Sequence, residues 1–141
     1  MDKNALQELS VKTIAVEGKG ALSFFEGERE APFAIKRIYY IHGVPAGVQR
    51  GGHAHRKLRQ VLFCPYGRIL ITLDDGVNKT DVLLDSPEKA LVIGPGLWRD
   101  MLWQQDDSVL CVAASEYYDE KDYIRDYQAF LDYLKDGGDR V

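Results

Sequence analysis

Two histidines one residue apart are the part of this sequence best suited to chemistry. His53 and His55 flank Ala54, and they are two of only three histidines in the chain. If this stretch is a β-strand, alternate side chains share a face, so the two imidazoles point one way and Ala54 points the other way. Two imidazoles at this spacing form either a pair of metal ligands or a pair that handles protons.

The surrounding sequence resembles the two motifs of the cupins, but it lacks two of the metal ligands. The first motif falls here on Gly47, His53, His55, Gln60 and Gly67. Metal-binding cupins carry a glutamate where this chain has Gln60, and a histidine where it has Arg99. A neutral amide and a permanent cation are poor metal ligands, and two imidazoles are fewer than the three protein ligands usual for catalytic zinc. We therefore expect no metal and an anionic organic ligand.

The alternative is that both histidines are interior residues without a chemical role. Against it stand the neighbouring cations Arg50, Lys57 and Arg59, together with the glycine pair 51–52. Such a concentration of charge beside two imidazoles is more typical of a binding site than of a core.

Short segments of alternating or β-branched residues, separated by glycine and proline turns, predict an all-β fold. We expect eight to ten short strands: the histidine strand and segments 11–16, 21–25, 35–42, 60–64, 68–73, 80–84, 90–93, 98–104 and 108–114. In segment 35–42, Arg37, Tyr39 and Ile41 would share one face. Apolar residues at helical spacing from Tyr123 to Leu134 predict one C-terminal helix. Residues 1–10 are expected to form a polar arm, and the whole chain, 1–141, is expected to form a single domain, a small antiparallel barrel or jelly roll.

Composition narrows the classes of partner. The net charge of −4 argues against non-specific nucleic-acid binding. No apolar stretch has the form of a secretory signal or the length of a membrane span, so we expect neither export nor membrane insertion. Cys64 and Cys111 lie in apolar runs and are expected to be buried free thiols, which predicts a cytoplasmic protein.

Five segments give a narrower resemblance, which covers about residues 11–127. They are RGGHAH (50–55), LDDG (73–76), PGLWR (95–99), IKRIYY (35–40) and SEYYDEKDYIRDYQAF (115–130). Together they resemble the sugar 3,4-ketoisomerases, which act on dTDP-4-keto-6-deoxyglucose in the Fdt and Qdt pathways. Members of that family commonly have Pro-Pro-Gly in the second motif, whereas Gly94 precedes Pro95 here. This departure loosens a corner and removes no functional group.

The resemblance implies a cupin-type jelly roll and an isomerase that needs no cofactor. The reaction moves a ketone from C4 to C3 of the hexose through an enediol. By resemblance, His53 is the base at carbon, and His55 orients it or holds the developing oxyanion, although the reverse assignment stays open. Tyr39 would pass a proton between the sugar oxygens, since its face of the strand would line the barrel.

The remaining site residues are expected to bind the substrate. Arg37, Arg50 and Arg99 are candidates for holding the diphosphate, because a guanidinium binds phosphate oxygens in a bidentate way. Gln60 would bond a sugar hydroxyl or the base. The aromatic residues of the tail, 117–127, are expected to pack against the barrel.

The family resemblance also implies a homodimer, with N-terminal strands from residues 1–16 crossing to the partner. The product would supply a 3-amino-3,6-dideoxyhexose for a surface glycan such as an O-antigen or S-layer, or for a natural product. Three rivals remain: a cupin sugar-nucleotide epimerase, a non-catalytic module that binds nucleotide sugars, and a metal-dependent cupin.

Overall fold

The computed structural model describes residues 6–137, which form twelve strands, a short 3₁₀ turn and one helix. The strands are β1 (Leu6–Ser10), β2 (Lys12–Val16), β3 (Gly20–Phe24), β4 (Arg37–Ile41), β5 (Gln49–His55), β6 (Gln60–Tyr66), β7 (Ile69–Asp74), β8 (Lys79–Leu84), β9 (Lys89–Ile93), β10 (Trp98–Trp103), β11 (Val109–Ala114) and β12 (Tyr123–Ile124). The 3₁₀ turn is Glu120–Asp122 and the helix α1 is Tyr127–Lys135. The predicted all-β class with a C-terminal helix is confirmed.

Ten of the strands make two antiparallel sheets that face each other. The first has the order β1-β9-β6-β11-β4 and the second has the order β12-β5-β10-β7-β8. Side chains from the facing surfaces form one buried core, with Leu62 and Val112 from the first sheet against Ile71 and Met101 from the second. This arrangement buries the facing side of every central strand.

The outer faces of both sheets are covered as well. Val61, Val92 and Ala113 of the first sheet pack against the connection that carries Ala31 and Phe33. On the second sheet, Ala54 and Trp98 pack against Ile124 and against Phe130 of α1. The helix thus packs against the outer face of β5, whereas the two histidines lie on the inner face of the same strand.

Two expectations about side-chain faces are confirmed. Ala54 contributes to the outer cluster, whereas His53 and His55 point into the barrel and their ring centroids are 5.0 Å apart. On β4, Tyr39 is partly buried against the core, while its neighbours Ile38 and Tyr40 are 59% and 63% exposed.

A bulge in the histidine strand depends on a glycine. The register between β5 and β10 shifts between Arg99 and Asp100, opposite Gly51. Gly51 has φ of +92°, and a Cβ atom there would lie 2.8 Å from the carbonyl oxygen of Arg99. Only glycine combines this dihedral angle with so close a backbone approach, so the Gly-Gly pair allows Arg99 to lie directly opposite His53.

Both ends of the chain differ from the sequence expectation. The predicted polar arm contains β1, which pairs with β9; residues 1–5 lie outside the described part. The predicted helix starts later than Tyr123, because Asp126 caps α1 by accepting from Ala129 N and Tyr127 is its first residue. Tyr123 and Ile124 instead form β12, which extends the second sheet beside β5.

Two further expectations can be compared with the described residues. Cys64 and Cys111 are both free thiols; Cys64 is buried, whereas Cys111 is only partly buried. Among residues 6–137, no helix has the length and apolar character needed to cross a membrane.

Candidate active site

One end of the barrel interior is polar, and its side chains come from both sheets. Gln60 on β6 lies in register with Ala114 of β11, and Ala114 lies in register with Arg37 of β4. In the facing sheet, Arg99 on β10 is the register partner of His53 on β5. His55, Gln60 and Arg99 all have 0% exposure. This polar end of the barrel is our candidate active site.

A chain of hydrogen bonds crosses the polar end. Arg99 Nη1 donates to Gln60 Oε1, and Gln60 Nε2 donates to the Tyr39 hydroxyl at 2.8 Å. A guanidinium has only donors, so the amide must turn its oxygen towards Arg99 and its nitrogen towards Tyr39. The Tyr39 oxygen therefore accepts within the protein, and its own hydrogen is free to be donated to a ligand.

Arg99 is a buried cation that contacts no carboxylate of residues 6–137. Its Nη2 donates to the Leu97 carbonyl at 3.0 Å, and its Nε has no hydrogen-bond partner within the same range. Burial lowers its pKa to about 10, so it stays protonated at neutral pH. Such a charge favours an anionic or enolate-like ligand beside it. Within residues 6–137, no group of three or more His, Cys, Asp or Glu side chains is placed to hold a metal ion.

His53 is a largely buried imidazole beside Arg99. Its Nε2 is buried and has no hydrogen-bond partner among the residues that the structure describes. Burial first, and the Arg99 charge second, lower its pKa to about 4, although a bond to the Gly51 backbone opposes this. The ring is therefore unprotonated at neutral pH, with a free lone pair on Nε2.

His55 is completely buried and is held by the tail of the chain. Its Nδ1 lies 3.0 Å from Asp122 Oδ2, and its Nε2 has no hydrogen-bond partner in the described part of the chain. Burial and Arg99 lower its pKa to about 2, so this ring is also neutral. Asp122 reaches it because Tyr123 of β12 is the register partner of His55.

Tyr123 stands between two cavities that open at this end. Its ring centroid is 5.2 Å from that of His53 and 4.4 Å from that of His55. The mouth cavity, of about 260 Å³, is lined by Tyr39, Ile41, Arg50, Gly51, His53, Met101, Tyr123 and Arg125. The tail cavity, of about 390 Å³, is lined by His55, Asp122 and Tyr123 together with Arg37, Lys36, Lys57, Leu58 and residues 116–119. His53 thus lines the mouth cavity and His55 lines the tail cavity, although their ring centroids are only 5.0 Å apart.

Two arginines flank the mouth cavity. Arg50 is exposed there, and Arg125 lies with its guanidinium carbon 4.2 Å from the Tyr123 ring centroid. Arg125 also donates to both oxygens of Glu120, at 2.7 and 3.0 Å. Sequence reasoning assigned Arg125 no role, because the tail was interpreted as packing; the specific YDExDYIRDY motif was the signal available.

The structure brings Tyr39, Arg50 and His53 together in one cavity, but it revises what was expected of Arg99 and Gln60. Arg99 was expected to hold a diphosphate, yet it is fully buried and bonded to Gln60 and Leu97. A group of that size and charge would need the open mouth of the barrel. Gln60 bonds neither histidine, because its amide is already used by Arg99 and Tyr39.

Arg37 faces the tail cavity and holds the tail. Its Nε donates to the Glu116 carbonyl at 3.3 Å, and its guanidinium lies 5.1 Å from the Tyr39 ring centroid. The neighbouring cations Lys57 and Arg59 lie beyond the histidine strand, because β5 ends at His55. Arg59 instead donates to the Pro32 carbonyl on the outside of the barrel.

Comparison with known proteins agrees with this geometry. The family model FdtA, described as WxcM-like, C-terminal, matches residues 4–135. The chain belongs to the FdtA family. A relative from Aneurinibacillus thermoaerophilus, TDP-4-oxo-6-deoxy-alpha-D-glucose-3,4-oxoisomerase, is 44% identical over 119 residues, which are 84% of this chain and 86% of that protein.

Solved structures place this FdtA-family chain among sugar 3,4-ketoisomerases of the cupin fold. QdtA from Thermoanaerobacterium thermosaccharolyticum, in complex with TDP, is 41% identical, with a TM-score of 0.91 over 97% of this chain and 98% of that one. A histidine-to-asparagine mutant of QdtA, in complex with TDP-4-keto-6-deoxyglucose, is 40% identical, with a TM-score of 0.90 over 96% and 97%. The FdtA-family chain is accordingly an isomerase, a sugar 3,4-ketoisomerase.

Proposed function

We propose that this isomerase converts TDP-4-keto-6-deoxyglucose to its 3-keto isomer without a cofactor. The observation that carries the proposal is the pair of groups in the mouth cavity: a neutral His53 with a free Nε2, and a Tyr39 hydroxyl whose hydrogen is not used inside the protein. His53 can accept a proton from carbon, and Tyr39 can donate a proton to oxygen. The names of the relatives supply the substrate class.

The reaction is balanced without an oxidant. His53 Nε2 takes the proton from C3, the electron pair of that bond forms the C3=C4 double bond, and O4 accepts a proton from Tyr39. The O3 hydroxyl then gives its proton to the Tyr39 oxygen as the C3 ketone forms, and protonated His53, whose ring N–H exchanges with solvent, delivers a proton to C4. Two electrons pass from C3 to C4, so the molecule is isomerised and nothing is reduced or oxidised overall.

Arg99 would stabilise the enediolate in this scheme. Its charge is held inside the barrel, where a low dielectric strengthens it, and its Nε is a donor without a partner. Gln60 would act through Tyr39, since it fixes the direction of that hydroxyl. Arg99 and Gln60 would therefore act at the sugar end of the substrate, and neither would bind its diphosphate.

The diphosphate would lie between Arg50 and Arg125 at the mouth cavity. Both guanidiniums line this opening, next to His53, and a guanidinium matches phosphate oxygens in geometry and charge. Arg37, on the far side of Tyr123, would hold the tail in place and would contact the substrate only through the tail cavity.

The test is turnover in heavy water, followed by NMR. We expect loss of the C3 proton signal, a ketone carbon at C3 and deuterium at C4 of the product. Inversion of a ring centre with the ketone still at C4 would identify an epimerase. Binding without any exchange would identify a non-catalytic module, and stoichiometric iron or zinc in the purified protein would identify a metal-dependent cupin.

We also propose that the protein is a homodimer. Supporting this, β2 and β3 form a separate two-stranded sheet that presents Ile14, Val16 and Leu22, which are 54%, 50% and 62% exposed. Apolar side chains on an isolated hairpin favour burial against a second copy. Light scattering coupled to size exclusion should give twice the mass of the chain; a monomer would contradict the proposal.

The expected setting is the cytoplasm, where the two free thiols would stay reduced. The 3-keto product would be consumed by an aminotransferase that makes a 3-amino-3,6-dideoxyhexose for a glycan. Accumulation of the amino sugar when such an aminotransferase is added would support this, and failure of the product to be aminated would reject it.

A further inference from the structure

Asp122 is a carboxylate of the tail whose two oxygens contact three partners beside the polar end of the barrel. Its Oδ1 accepts from Lys57 N at 2.7 Å, and its Oδ2 accepts from Leu58 N at 3.3 Å. The same Oδ2 lies 3.0 Å from His55 Nδ1. One side chain of the tail therefore closes the turn after the histidine strand and contacts the second histidine of that strand.

The partner of Nδ1 decides where the His55 proton lies. The ring is fully buried beside the Arg99 charge and is neutral, so it carries one N–H. A carboxylate only accepts hydrogen bonds, so that N–H must be on Nδ1, facing Asp122. Nε2 is then left with a lone pair, and it is buried with no hydrogen-bond partner among the described residues.

We propose that Asp122 is a positioning residue that fixes the tautomer of His55, so that His55 Nε2 can only accept a hydrogen bond from a hydroxyl of the bound sugar. The inference rests on the proposed function for its ligand. As the new ketone forms, a sugar hydroxyl must lose its proton to Tyr39, and an acceptor without a proton of its own can hold that hydroxyl in place for the transfer. His53 would then act at the carbon atoms of the sugar, and His55 would act at a hydroxyl oxygen.

A purely structural role for Asp122 makes a different prediction. If the carboxylate only closes the turn at Lys57 and Leu58, any side chain that accepts from Lys57 N should serve as well. Asp122→Asn separates the two roles. Its amide oxygen can keep the 2.7 Å bond to Lys57 N, while its NH₂ group faces His55 Nδ1 and donates to it, with loss of only the longer, 3.3 Å bond from Leu58 N. The ring must then carry its proton on Nε2, which turns the acceptor into a donor.

The experiment is ¹⁵N NMR of histidine-labelled protein, combined with kinetics on TDP-4-keto-6-deoxyglucose. His55 is assigned by comparison with the His53→Asn and His42→Asn variants. We expect the wild-type spectrum to show His55 protonated at Nδ1, and Asp122→Asn to show it protonated at Nε2. For Asp122→Asn, kcat should fall by about 100-fold or more.

The matched control is Asp126→Asn, four residues further along the same tail. Asp126 caps α1 and contacts no histidine, and asparagine is an equally good cap. This variant should keep the wild-type tautomer and the wild-type kcat. If both variants lower kcat equally, the effect belongs to the tail as a whole and the proposal is wrong.

Two further results would overturn the proposal. Wild-type His55 protonated at Nε2 would do so without any variant, even if Asp122→Asn does not fold. Reversal of the tautomer with an unchanged kcat would show that the tautomer has no catalytic consequence. Absence of turnover by the wild-type protein would instead reject the proposed function, and the spectra, which need no substrate, would still show whether Asp122 holds His55.

Discussion

The two ends of the barrel interior are built from the same strands but differ in one respect: whether every buried polar atom has a partner. At the apolar end, Leu62 and Ile71 pack against Trp103, and even the Trp103 Nε1 group donates to the Ser108 carbonyl at 2.8 Å. At the polar end, His53 Nε2, His55 Nε2 and Arg99 Nε have none. In the described part of the chain, these three are the only buried side-chain nitrogen or oxygen atoms without one.

The apolar end of the barrel therefore stabilises the fold, whereas the polar end is arranged to contact a ligand. Unpartnered buried groups cost stability, so they persist where a ligand satisfies them. Substitutions at the apolar end should therefore change the free energy of unfolding and leave kcat unchanged. Substitutions at the polar end should lower kcat and leave the free energy of unfolding almost unchanged.

The largest effect is expected for His53→Asn. The asparagine keeps a polar group of similar size but supplies no base, so kcat should fall by about 10²–10⁴-fold, the usual contribution of general acid–base catalysis. Stopped assays with product NMR would measure this. His42→Asn is the control, since His42 is exposed and lies outside the site; retained activity in His53→Asn would move the base elsewhere.

The opposite pattern is expected for Leu62→Ala at the apolar end. Leu62 is fully buried, so the cavity should cost about 2–5 kcal/mol of unfolding free energy. Urea titration would measure it, and kcat per folded molecule should not change. Val77→Ala, at a side chain that is 88% exposed, should cost almost nothing. A large loss of kcat in folded Leu62→Ala would break the division between the two ends.

Gln60→Glu is expected to lower activity without lowering stability. A glutamate gives Arg99 the carboxylate that it lacks, but it cannot donate to Tyr39. The Tyr39 hydroxyl would then donate to the new carboxylate, so its hydrogen would no longer face the ligand, and kcat should fall by about tenfold.

Thermal unfolding alongside the kinetics would check the Gln60→Glu result. The control is Gln104→Glu, because Gln104 Oε1 also accepts from an arginine, Arg68, but on the exposed surface. Loss of stability with full activity in Gln60→Glu would show that the direction of the Tyr39 hydroxyl does not matter.

The smallest effect expected is a displaced acid limb in the pH profile. His53 must be unprotonated to act, and its pKa is about 4, so kcat/KM should stay level below pH 6.5 and fall only as pH approaches 4. Arg99→Gln removes a charge that lowers this pKa, so its acid limb should move upward. An acid limb near 6.5 in the wild type would contradict the burial of the base.

The same two histidines make stability depend on pH. Their folded pKa values, about 4 and about 2, lie below the ordinary value of 6.5, so the unfolded chain binds more protons in this range. Their contribution to stability is complete above pH 6.5 and is lost as pH falls towards 4. Urea midpoints measured at several pH values would show the decline, and His53→Asn should reduce its slope.

Local pattern was enough to predict most of the barrel. Alternation assigned the faces of β4 and β5, and the Asp-Asp-Gly turn at 74–76 does join β7 to β8. These features depend on neighbours in sequence, so the sequence carries them directly. The strand β1 was missed because its sequence, Leu6–Ser10, is mostly polar and mostly exposed.

The parts of the site that were missed depend on contacts between distant residues. Asp122 and His55 are 67 positions apart, and no local pattern connects them. The helical spacing that starts at Tyr123 concealed a strand, since tertiary pairing with β5 overrides the periodicity. Arg99 was correctly placed near His53, but its burial could not be read from its charge, which usually indicates a surface residue.

The position of β12 has a consequence for biosynthesis. Every other strand of the two sheets precedes residue 122 in the chain and is translated before Asp122 and Tyr123. A nascent barrel therefore has its histidine strand before it has the residues that contact those histidines, so the proposed site is complete only after residue 123 has been synthesised.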